Sequence, residues 1–225
     1  MPPETSDADL TAIAIVGAGG FGREVLMLLH QINQARPTWH ILGFYDDNRE
    51  LPPTINGFPY LGTLADLNRR EAPLALALAI GDPRVKARLC QQLSPGHFHF
   101  PVLIHPSVAN DDFQFNQVGE GSIICQASIL TTNIVLGRHV LLNLGCTIGH
   151  DAVLGDFVSL MPHVNLGGGS QLRQGVYAGT NAAVLPRVCI GENTIIGAAS
   201  VVTRDLPANC TAVGVPAKVI KQHER

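Results

Sequence analysis

Charged side chains are scarce in this chain. Only 15% of its 225 residues are Asp, Glu, Lys or Arg, and the formal net charge is −3. A protein that binds nucleic acid normally carries a surplus of basic residues, because it must neutralise phosphates. The composition therefore predicts no nucleic-acid partner.

Long hydrophobic runs, a targeting signal and paired cysteines are also lacking. The longest apolar stretch, Pro73 to Ile80, is far shorter than the roughly 20 residues that span a bilayer. The N-terminal sequence MPPETSDADL has no basic segment followed by an apolar one, as a secretory signal has. The five cysteines are odd in number and form no CxxC pair, which is typical of reduced thiols. We therefore expect a cytoplasmic protein with no membrane partner.

The first hundred residues alternate between segments typical of strands and segments typical of helices. Such an order favours a small parallel sheet with helices on its faces. Asp82 is placed to cap a helix that has Pro83 at its first position. The predicted strands are Ile13 to Gly17, Ile41 to Tyr45, Leu74 to Ile80 and Phe98 to Ile104, and the predicted helices are Phe21 to Gln34 and Pro83 to Leu93.

A six-residue repeat governs the rest of the chain. From Val118 to Ala208, every sixth residue is aliphatic, which gives sixteen aliphatic positions in an unbroken register. Glycine follows the aliphatic residue in eight of the sixteen hexads, and the residue four positions after it is always small or aliphatic. This period predicts a solenoid in which one hexad is a short strand plus a corner, and three hexads close a triangular coil.

The period also predicts which residues of neighbouring coils stack on one another. Residues eighteen apart lie above one another, the aliphatic positions fill the core, and glycine eases the backbone at the corners. Because Asp205-Leu206-Pro207 is poor strand sequence, the last two hexads are alternatively an end loop. We place the domain boundary at residue 105, with an α/β domain over 1–105 and the solenoid over 106–225.

The solenoid carries no inserted loop and few charges. Residues 118–213 contain nine charged side chains and no lysine. A prism surrounded by water would carry more, so we expect at least one face to pack against other chains, most simply in a cyclic trimer. Because the solenoid has no inserted loop, a large ligand must be held by something else, and the N-terminal domain is the obvious candidate.

A glycine-rich loop separates the first predicted strand from the first predicted helix. Gly17, Gly19, Gly20 and Gly22 let the backbone approach a phosphate at the helix N-terminus, and Phe21 lies among them. The motif predicts a nucleotide or nucleotide-sugar site, or alternatively a tight turn without a ligand. In the first case Asp46 and Asp47, which follow the second strand, would lie near the ribose or base.

His150 and Asp151 are the third and fourth residues of a hexad, and such positions lie at a corner and face outward. An imidazole exchanges protons near neutral pH, so a corner histidine beside a groove suits a general base. A neighbouring carboxylate orients the ring and stabilises the imidazolium. The alternative is a solvated histidine in a turn.

Two further positions offer groups to a ligand. Gly168 stacks one coil beyond His150, where it leaves room for a ligand and offers a backbone N–H to an oxyanion, unless it only serves the corner geometry. Lys218, in Gly214-Val215-Pro216-Ala217-Lys218, either brings a cation to the phosphates of coenzyme A or belongs to a solvated tail. His139, His150 and His163 fall on three different corners, so they cannot converge on a metal within one chain, and we expect no metal site.

Taken together, these motifs resemble one family over nearly the whole chain. It is the family of bacterial sugar acetyltransferases that join a small Rossmann-like domain to a left-handed β-helix of hexapeptide repeats. Its members include sialic acid O-acetyltransferases and N-acetyltransferases of nucleotide-linked 4-amino-sugars. The matching stretches are IAIVGAGGFGREV, FYDDN, LALAIGDPRVKARL, IHPSV, NLGCTIGHDAVLGDF, GTNAAVLPRVCIGENTIIGAASVVTRDLP and GVPAK.

The resemblance implies a fold, a reaction and roles for particular residues. It implies a left-handed coil, acetyl-CoA as co-substrate bound between adjacent subunits, and direct acetyl transfer to a sugar. His150 would be the general base with Asp151 as its acidic partner, and the Gly168 N–H would polarise the thioester. Asn143 would lie on the substrate side, Thr180 and Ala198 would contact coenzyme A, and the glycine loop with Asp46 and Asp47 would hold the nucleotide.

Two positions depart from the family pattern. Several 4-amino-sugar enzymes have histidine where this chain has Phe21, and some have histidine where it has Ser159. Both departures concern the acceptor. N-acetylation of a nucleotide-linked 4-amino-sugar is therefore the leading hypothesis. O-acetylation of sialic acid or another glycan sugar is the alternative within enzymes, and a non-catalytic binding or scaffold protein is the alternative from another class.

Overall fold

The computed structural model describes residues 10–93 and 96–223. The N-terminal segment considered above as a targeting signal lies largely outside these ranges. The chain forms two compact units, one of Met1–Ile80 with Arg88–Pro101 and one of Gly81–Ala87 with Val102–Arg225. The second unit thus begins a few residues before position 105, and it also includes a short segment of the N-terminal part. Within the described ranges, no helix has the length and apolar character needed to cross a membrane.

The first unit is built on a six-stranded sheet with strand order β3-β4-β2-β1-β5-β6. All pairings are parallel except that of β3 with β4. The centre of the sheet is buried because the apolar runs of β1 and β5 lie next to each other. The elements are β1 Thr11–Val16, α1 Gly20–Ala35, β2 Trp39–Tyr45, β3 Thr54–Ile55, β4 Phe58–Gly62, α2 Leu64–Leu67, β5 Leu74–Leu78, α3 Pro83–Gln92 and β6 Phe98–His99.

The predicted strand Phe98 to Ile104 is wrong as a single element. It is two strands, β6 and β7 (Leu103–Ile104), which pair in different sheets. Pro101 lies between them, and proline has no N–H to donate to a ladder. The hairpin of β3 and β4 and the short helix α2 had no hydrophobic period strong enough to predict them.

The second unit is a left-handed parallel β-helix, as predicted. Two-residue strands repeat every six residues and form three parallel sheets, named here after their first strands. The β8 sheet contains β8 Gln117–Val118, β11 Val135–Leu136, β14 Val153–Leu154, β17 Gln171–Leu172 and β20 Cys189–Ile190; the β10 sheet contains β10 Ile129–Leu130, β13 Thr147–Ile148, β16 Asn165–Leu166, β19 Ala183–Val184 and β22 Val201–Val202; the β7 sheet contains β7, β9 Ile123–Ile124, β12 Leu141–Leu142, β15 Ser159–Leu160, β18 Tyr177–Ala178, β21 Ile195–Ile196, β23 Cys210–Val213 and β24 Lys218–Gln222.

Neighbouring coils stack in the predicted register of eighteen residues. Leu130 pairs with Ile148, Ile148 pairs with Leu166, and Leu166 pairs with Val184. These aliphatic side chains and the aliphatic residues four positions later form one continuous core cluster. Some of these later positions are serine. Buried Ser122 donates its hydroxyl to the carbonyl of Gly137 at 3.1 Å, whereas the buried hydroxyl of Ser170 has no partner among the described residues.

The corners differ from the expectation in one respect. The residue that adopts a left-handed backbone is the fourth of the hexad, such as Asp151 with φ of 59°, and it is frequently not glycine. The glycine directly after the aliphatic residue has another cause. A Cβ on Gly149 would lie 2.6 Å from the amide nitrogen of Gly168, so close stacking of the coils excludes a side chain there.

The period fails in the last coil. Ala208, the sixteenth aliphatic position, forms no strand, and Ile190, eighteen residues before it, forms a bridge with Leu206 instead. Ile196 likewise pairs with Ala212, sixteen residues later. The Asp205 carboxylate accepts a hydrogen bond from the Cys189 N–H at 2.7 Å, which holds this shortened coil in place. The end loop, which was the alternative for this segment, is the better description of residues 203–209. The chain then closes the coil with the antiparallel pair β23 and β24.

Candidate active site

His150 and Asp151 lie on the corner between the β10 and β8 sheets. We call this stack the His150 corner; it comprises residues 149–152 and their equivalents at multiples of eighteen. The Nδ1–H of His150 donates to Asp151 Oδ2 at 2.7 Å, and both side chains are exposed. A carboxylate only accepts hydrogen bonds, so Nδ1 carries the proton and Nε2 presents its lone pair outward. This is the tautomer that a general base requires.

The backbone fixes the geometry of this pair. The N–H of Asp151 donates to the carbonyl of Thr132 in the coil before, at 3.1 Å, and the N–H of Gly169 donates to the carbonyl of His150 at 2.7 Å. Aspartate is one of the few residues that tolerate the left-handed conformation required at its position. The fold therefore sets the imidazole and the carboxylate side by side without strain elsewhere.

Gly168 lies directly beside the imidazole. A Cβ on Gly168 would lie 2.6 Å from His150 Cε1 and closer still to Nε2, so only glycine leaves the ring where it is. The carbonyl of Gly168 accepts from the Arg187 N–H at 3.0 Å, whereas the Gly168 N–H has no acceptor among the described residues. A proton acceptor and a backbone donor therefore flank the same patch of surface.

The remaining predicted residues of the coil lie elsewhere. Asn143, Thr180 and Ala198 share the corner between the β7 and β10 sheets, which we call the Thr180 corner. Thr180 and Ala198 are exposed, whereas Asn143 is 7% exposed and its Oδ1 accepts from the Leu144 N–H at 2.7 Å. Lys218 begins β24 and is exposed. The structure thus brings His150, Asp151 and Gly168 together, but it separates them from Thr180 and Ala198 within one chain.

The three solenoid histidines lie on three corners, as the period implies. His139 is buried and stacks on Phe157, with ring centroids 5.3 Å apart. Burial, with help from the positive charges of Lys86 and Arg138, lowers the pKa of His139 to about 4. His163 is exposed. In the described ranges, no three His, Cys, Asp or Glu side chains cluster as metal ligands would.

In the first unit, the glycine loop is a tight turn that leads into α1 and is open on one side. Gly17 has φ of 102°, and a Cβ there would lie 2.9 Å from the Ala79 carbonyl oxygen. Gly19 caps α1, and a Cβ at Gly19 or Gly20 would meet nothing within 4 Å, so this side of the loop is open. Phe21 follows in the first turn of α1, partly exposed.

Asp46 and Asp47, which were predicted to lie near the ribose or base, accept hydrogen bonds from backbone N–H groups of the protein itself. Asp46 Oδ2 accepts from the Ala18 N–H at 2.8 Å, and its Oδ1 accepts from the Asn48 N–H at 2.9 Å. Asp47 Oδ1 accepts from the Leu64 N–H, at the start of α2, at 2.9 Å. Asp46 therefore shapes the glycine loop itself.

A cavity of about 280 Å³ opens beside this loop. It is lined by Ala18 and Arg23 on one side and by Pro52, Thr54 and Asn56 on the other. Arg23, in the first turn of α1, adds a full positive charge to the helix N-terminus. The sequence analysis missed Arg23, although a basic residue in the first turn after a glycine loop was the signal that could have identified it.

A larger cavity, of about 370 Å³, lies in the second unit away from the His150 corner. Asp82, Arg84, Met161, Tyr177 and Ile195 contribute to its lining, on the outer face of the β7 sheet. Burial and the nearby Asp82 carboxylate raise the pKa of Tyr177.

On the same face, residues of α3 pack against the coil. Buried Lys86 donates from Nζ to Ser159 Oγ at 3.2 Å. Ser159, one of the two positions that depart from the family pattern, is therefore fully buried and bonded to a lysine.

Comparisons with known proteins agree with this architecture. Residues 12–93 match the PglD N-terminal domain family. The chain is 30% identical to the GDP-perosamine N-acetyltransferase of Escherichia coli O157:H7 over 215 residues, which are 92% of this chain and 96% of that protein. The galactoside O-acetyltransferase of Escherichia coli K12 is 34% identical over 111 residues, 40% of this chain and 55% of that protein.

Solved structures match over both units. The acetyltransferase domain of PglB from Neisseria gonorrhoeae is 27% identical with a TM-score of 0.84, covering 93% of this chain and 99% of that one. PerB from Caulobacter crescentus, solved with CoA and GDP-perosamine, is 30% identical with a TM-score of 0.83, covering 93% and 97%.

The fold and the similarity to acetyltransferases define an acyltransferase of the hexapeptide-repeat class. Within that class, the chain belongs to the bacterial sugar acetyltransferases that carry a PglD-type N-terminal domain.

Proposed function

We propose that this protein transfers the acetyl group of acetyl-CoA to the amino group of a nucleotide-linked 4-amino-sugar. The observation that carries the proposal is the His150 corner, where Nε2 of an oriented imidazole lies against Gly168 and its unoccupied N–H. The relatives support the choice of co-substrate and acceptor, because PerB was solved with CoA and GDP-perosamine and the Escherichia coli relative is named for the same sugar.

His150 acts as the general base. Its Nε2 removes a proton from the acceptor nitrogen while that nitrogen attacks the thioester carbonyl. Asp151 holds the ring and stabilises the imidazolium that forms. The Gly168 N–H donates to the oxyanion of the tetrahedral intermediate. The intermediate then expels the CoA thiolate, which takes up a proton, so no covalent acyl-enzyme is needed.

The first unit holds the nucleotide. The open side of the glycine loop and Arg23 supply backbone N–H groups and a guanidinium for the diphosphate. Asp46 and Asp47 act indirectly, because their carboxylates position the loop and the start of α2. The base and ribose then occupy the cavity beside Pro52, Thr54 and Asn56.

The complete site needs a second copy of the chain. Thr180 and Ala198 are proposed to contact CoA, yet they lie on a different corner from His150. A cyclic trimer in which the His150 corner of one subunit faces the Thr180 corner of the next would join them. The outer faces of the coil support such packing, since Ile129, Val135 and Val153 are between 37% and 56% exposed. Cytoplasmic location is part of the proposal and is compatible with five cysteines that form no disulfide bond.

O-acetylation of a sugar hydroxyl is the second candidate. Ser159 and Phe21 favour it, because they replace histidines found in several 4-amino-sugar enzymes.

The test measures thiol release from acetyl-CoA. The acceptors are UDP-, dTDP- and GDP-linked 4-amino-sugars and free sialic acid, and the proteins are wild type, His150→Ala and, as a control, His40→Ala. His40 is an exposed histidine in β2, outside the proposed machinery. We expect turnover with one amino-sugar nucleotide, retained in His40→Ala and reduced at least a hundredfold in His150→Ala, the usual scale for a general base.

Other outcomes assign other functions. Turnover with sialic acid alone would replace the N-acetyltransferase by the O-acetyltransferase. Full activity of His150→Ala would refute the role of His150. Absence of any CoA binding would contradict the acetyltransferase itself and favour a scaffold protein.

A further inference from the structure

The outer face of the β7 sheet is covered over only part of its length. The residues of β9, β12 and β15 are buried, whereas the outward side chains of β18 and β21, Tyr177 and Ile195, are partly exposed. The cavity of about 370 Å³ lies over these two residues. All of its lining residues belong to the second unit, and it lies away from the His150 corner.

The floor of this cavity is apolar. Tyr177 and Ile195 are partners in adjacent strands, so their backbones are about 4.8 Å apart and their side chains form a continuous strip. Met161 also contributes to the lining, and its Cε lies 3.8 Å from the position of a Cβ on Gly81. Such a strip offers a flat apolar surface to the C–H face of a ring, and a cavity of this size accommodates a small ligand.

The rim of the cavity carries polar groups that can bond to a ligand. Asp82 Oδ1 accepts from the N–H groups of Arg84 and Val85, at 2.8 and 3.0 Å, whereas Oδ2 has no hydrogen-bond partner among the described residues. The Arg84 guanidinium makes one long contact, 3.4 Å to the carbonyl oxygen of Asn193. Burial and the Asp82 carboxylate raise the pKa of Tyr177, so its hydroxyl stays protonated and can donate.

These groups favour an uncharged ligand that carries hydroxyl groups. A carboxylate only accepts hydrogen bonds and a guanidinium only donates them, whereas a hydroxyl group can bond to either, because it is both donor and acceptor. The charges of Asp82 and Arg84 have opposite signs, so the lining as a whole favours neither an anion nor a cation. Asp82 already caps α3, which removes the attraction of a free helix N-terminus for a phosphate.

We propose that this cavity is a second ligand site, distinct from the His150 corner, and that it binds the ring of an uncharged sugar. One face of the ring lies on Tyr177 and Ile195, and its hydroxyl groups bond to Asp82 and Arg84. The inference goes beyond the proposed function and does not depend on it, since no residue of the His150 corner takes part.

The first experiment measures the binding of the methyl glycosides of glucose, galactose and mannose by saturation-transfer NMR titration. Asp82→Asn removes the charge but keeps the helix cap, because asparagine is also a good N-cap residue. Ile195→Trp fills the cavity with an indole. Asp112→Asn is the matched control, since Asp112 is also exposed and does not line the cavity.

We expect at least one glycoside to bind wild type and Asp112→Asn with the same affinity. The affinity should fall about tenfold in Asp82→Asn, as for one lost hydrogen bond to a charged group. Ile195→Trp should not bind the glycoside. Thermal denaturation of the same samples shows that each variant is folded.

Other outcomes would overturn the site. If no glycoside binds wild type, or if all four proteins bind it equally, the cavity is not a sugar site. Leucine, a zwitterion with an apolar side chain, is the competing probe, and binding of leucine alone would refute the ligand class. Loss of acetyl transfer in Asp82→Asn would assign the cavity to the acceptor and contradict a second site. A wild type that binds a glycoside but releases no thiol from acetyl-CoA would contradict the proposed function alone.

Discussion

A single methyl group added at Gly168 should lower the catalytic rate and leave the stability of the fold unchanged. In Gly168→Ala the new Cβ meets the imidazole of His150, so the ring must leave its place beside the free N–H. We expect kcat to fall by one to two orders of magnitude, since small displacements of a catalytic group cost roughly a hundredfold. The melting temperature should change little, because Gly168 does not adopt a left-handed φ and the contact is with an exposed side chain. Steady-state kinetics and thermal denaturation on the same samples provide the measurement.

A double-mutant cycle supplies the control for that substitution. If the methyl group acts through the imidazole, Gly168→Ala should have little further effect in a His150→Ala background. Fully additive losses would instead mean that Gly168 acts independently of His150.

The buried imidazole of His139 should make the free energy of unfolding depend on pH. Burial favours the neutral imidazole and lowers its pKa to about 4, whereas an unfolded histidine titrates near its ordinary value of 6.5. Between these values the unfolded chain binds more protons than the folded one, so stability decreases as the pH falls from 6.5 toward 4. Above pH 6.5 both states are neutral at this position and its contribution is constant. The slope is at most about 1.4 kcal/mol per pH unit.

The experiment compares wild type with His139→Asn by denaturant unfolding at several pH values. Asparagine tolerates the left-handed φ of 54° at this position and does not titrate. The difference in free energy of unfolding between the two proteins should change with pH below 6.5 and be flat above it. If the difference in free energy of unfolding did not change with pH, His139 would not be the group responsible. The neighbouring charges of Lys86, Arg138 and Asp156 would then offset the effect of its protonation.

The sequence predicted the positions of some site residues but not the contacts of others. The period of six placed His150 and Asp151 on a corner and set Gly168 above them, because stacking follows from counting. It did not predict that Asp46 and Asp47 would bond to the N–H groups of Ala18 and Leu64, since such contacts depend on how separate loops meet.

At the scale of the element, one hexad is the unit of stability. Leu160 is completely buried in the continuous core, to which each coil contributes only a few aliphatic side chains. Leu160→Ala should lower the free energy of unfolding by about 2–5 kcal/mol through lost burial and the cavity it leaves. Val219→Ala, in exposed strand β24, should cost less than about 1 kcal/mol. Equal losses for the two variants would contradict a core that is continuous through the coil.

The strands also show that a six-residue repeat predicts strand positions better than apolar composition does. The two-residue strands from β8 to β22 follow the repeat because each is fixed by the coils on either side. The strand predicted at Phe98 to Ile104 rested on apolar composition alone, and Pro101 divides it between two sheets. Ala208 continues the six-residue period in the sequence but does not lie in a strand of the structure. The last coil is shorter, and the Asp205 carboxylate accepts a hydrogen bond from the Cys189 N–H there.

At the scale of the whole molecule, the separation of the two corners decides how many chains make one site. The His150 corner holds the proposed base, and the Thr180 corner holds Thr180 and Ala198, one hexad away around the coil. The period predicted each position, but the resemblance alone assigned them to one ligand. A single chain cannot bring both corners to the same thioester if the ligand lies along one of them.

Subunit complementation tests this arrangement. His150→Ala removes the proposed base, and Ala198→Trp obstructs the Thr180 corner at an exposed position. Each variant alone should be nearly inactive. Unfolded together in equal amounts and refolded, they should form mixed trimers in which about one interface in four combines an intact His150 with an intact Ala198. We therefore expect about a quarter of wild-type activity. If activity does not return although the variants co-assemble, the base and the Ala198 surface must serve the same chain, and the site does not span two subunits.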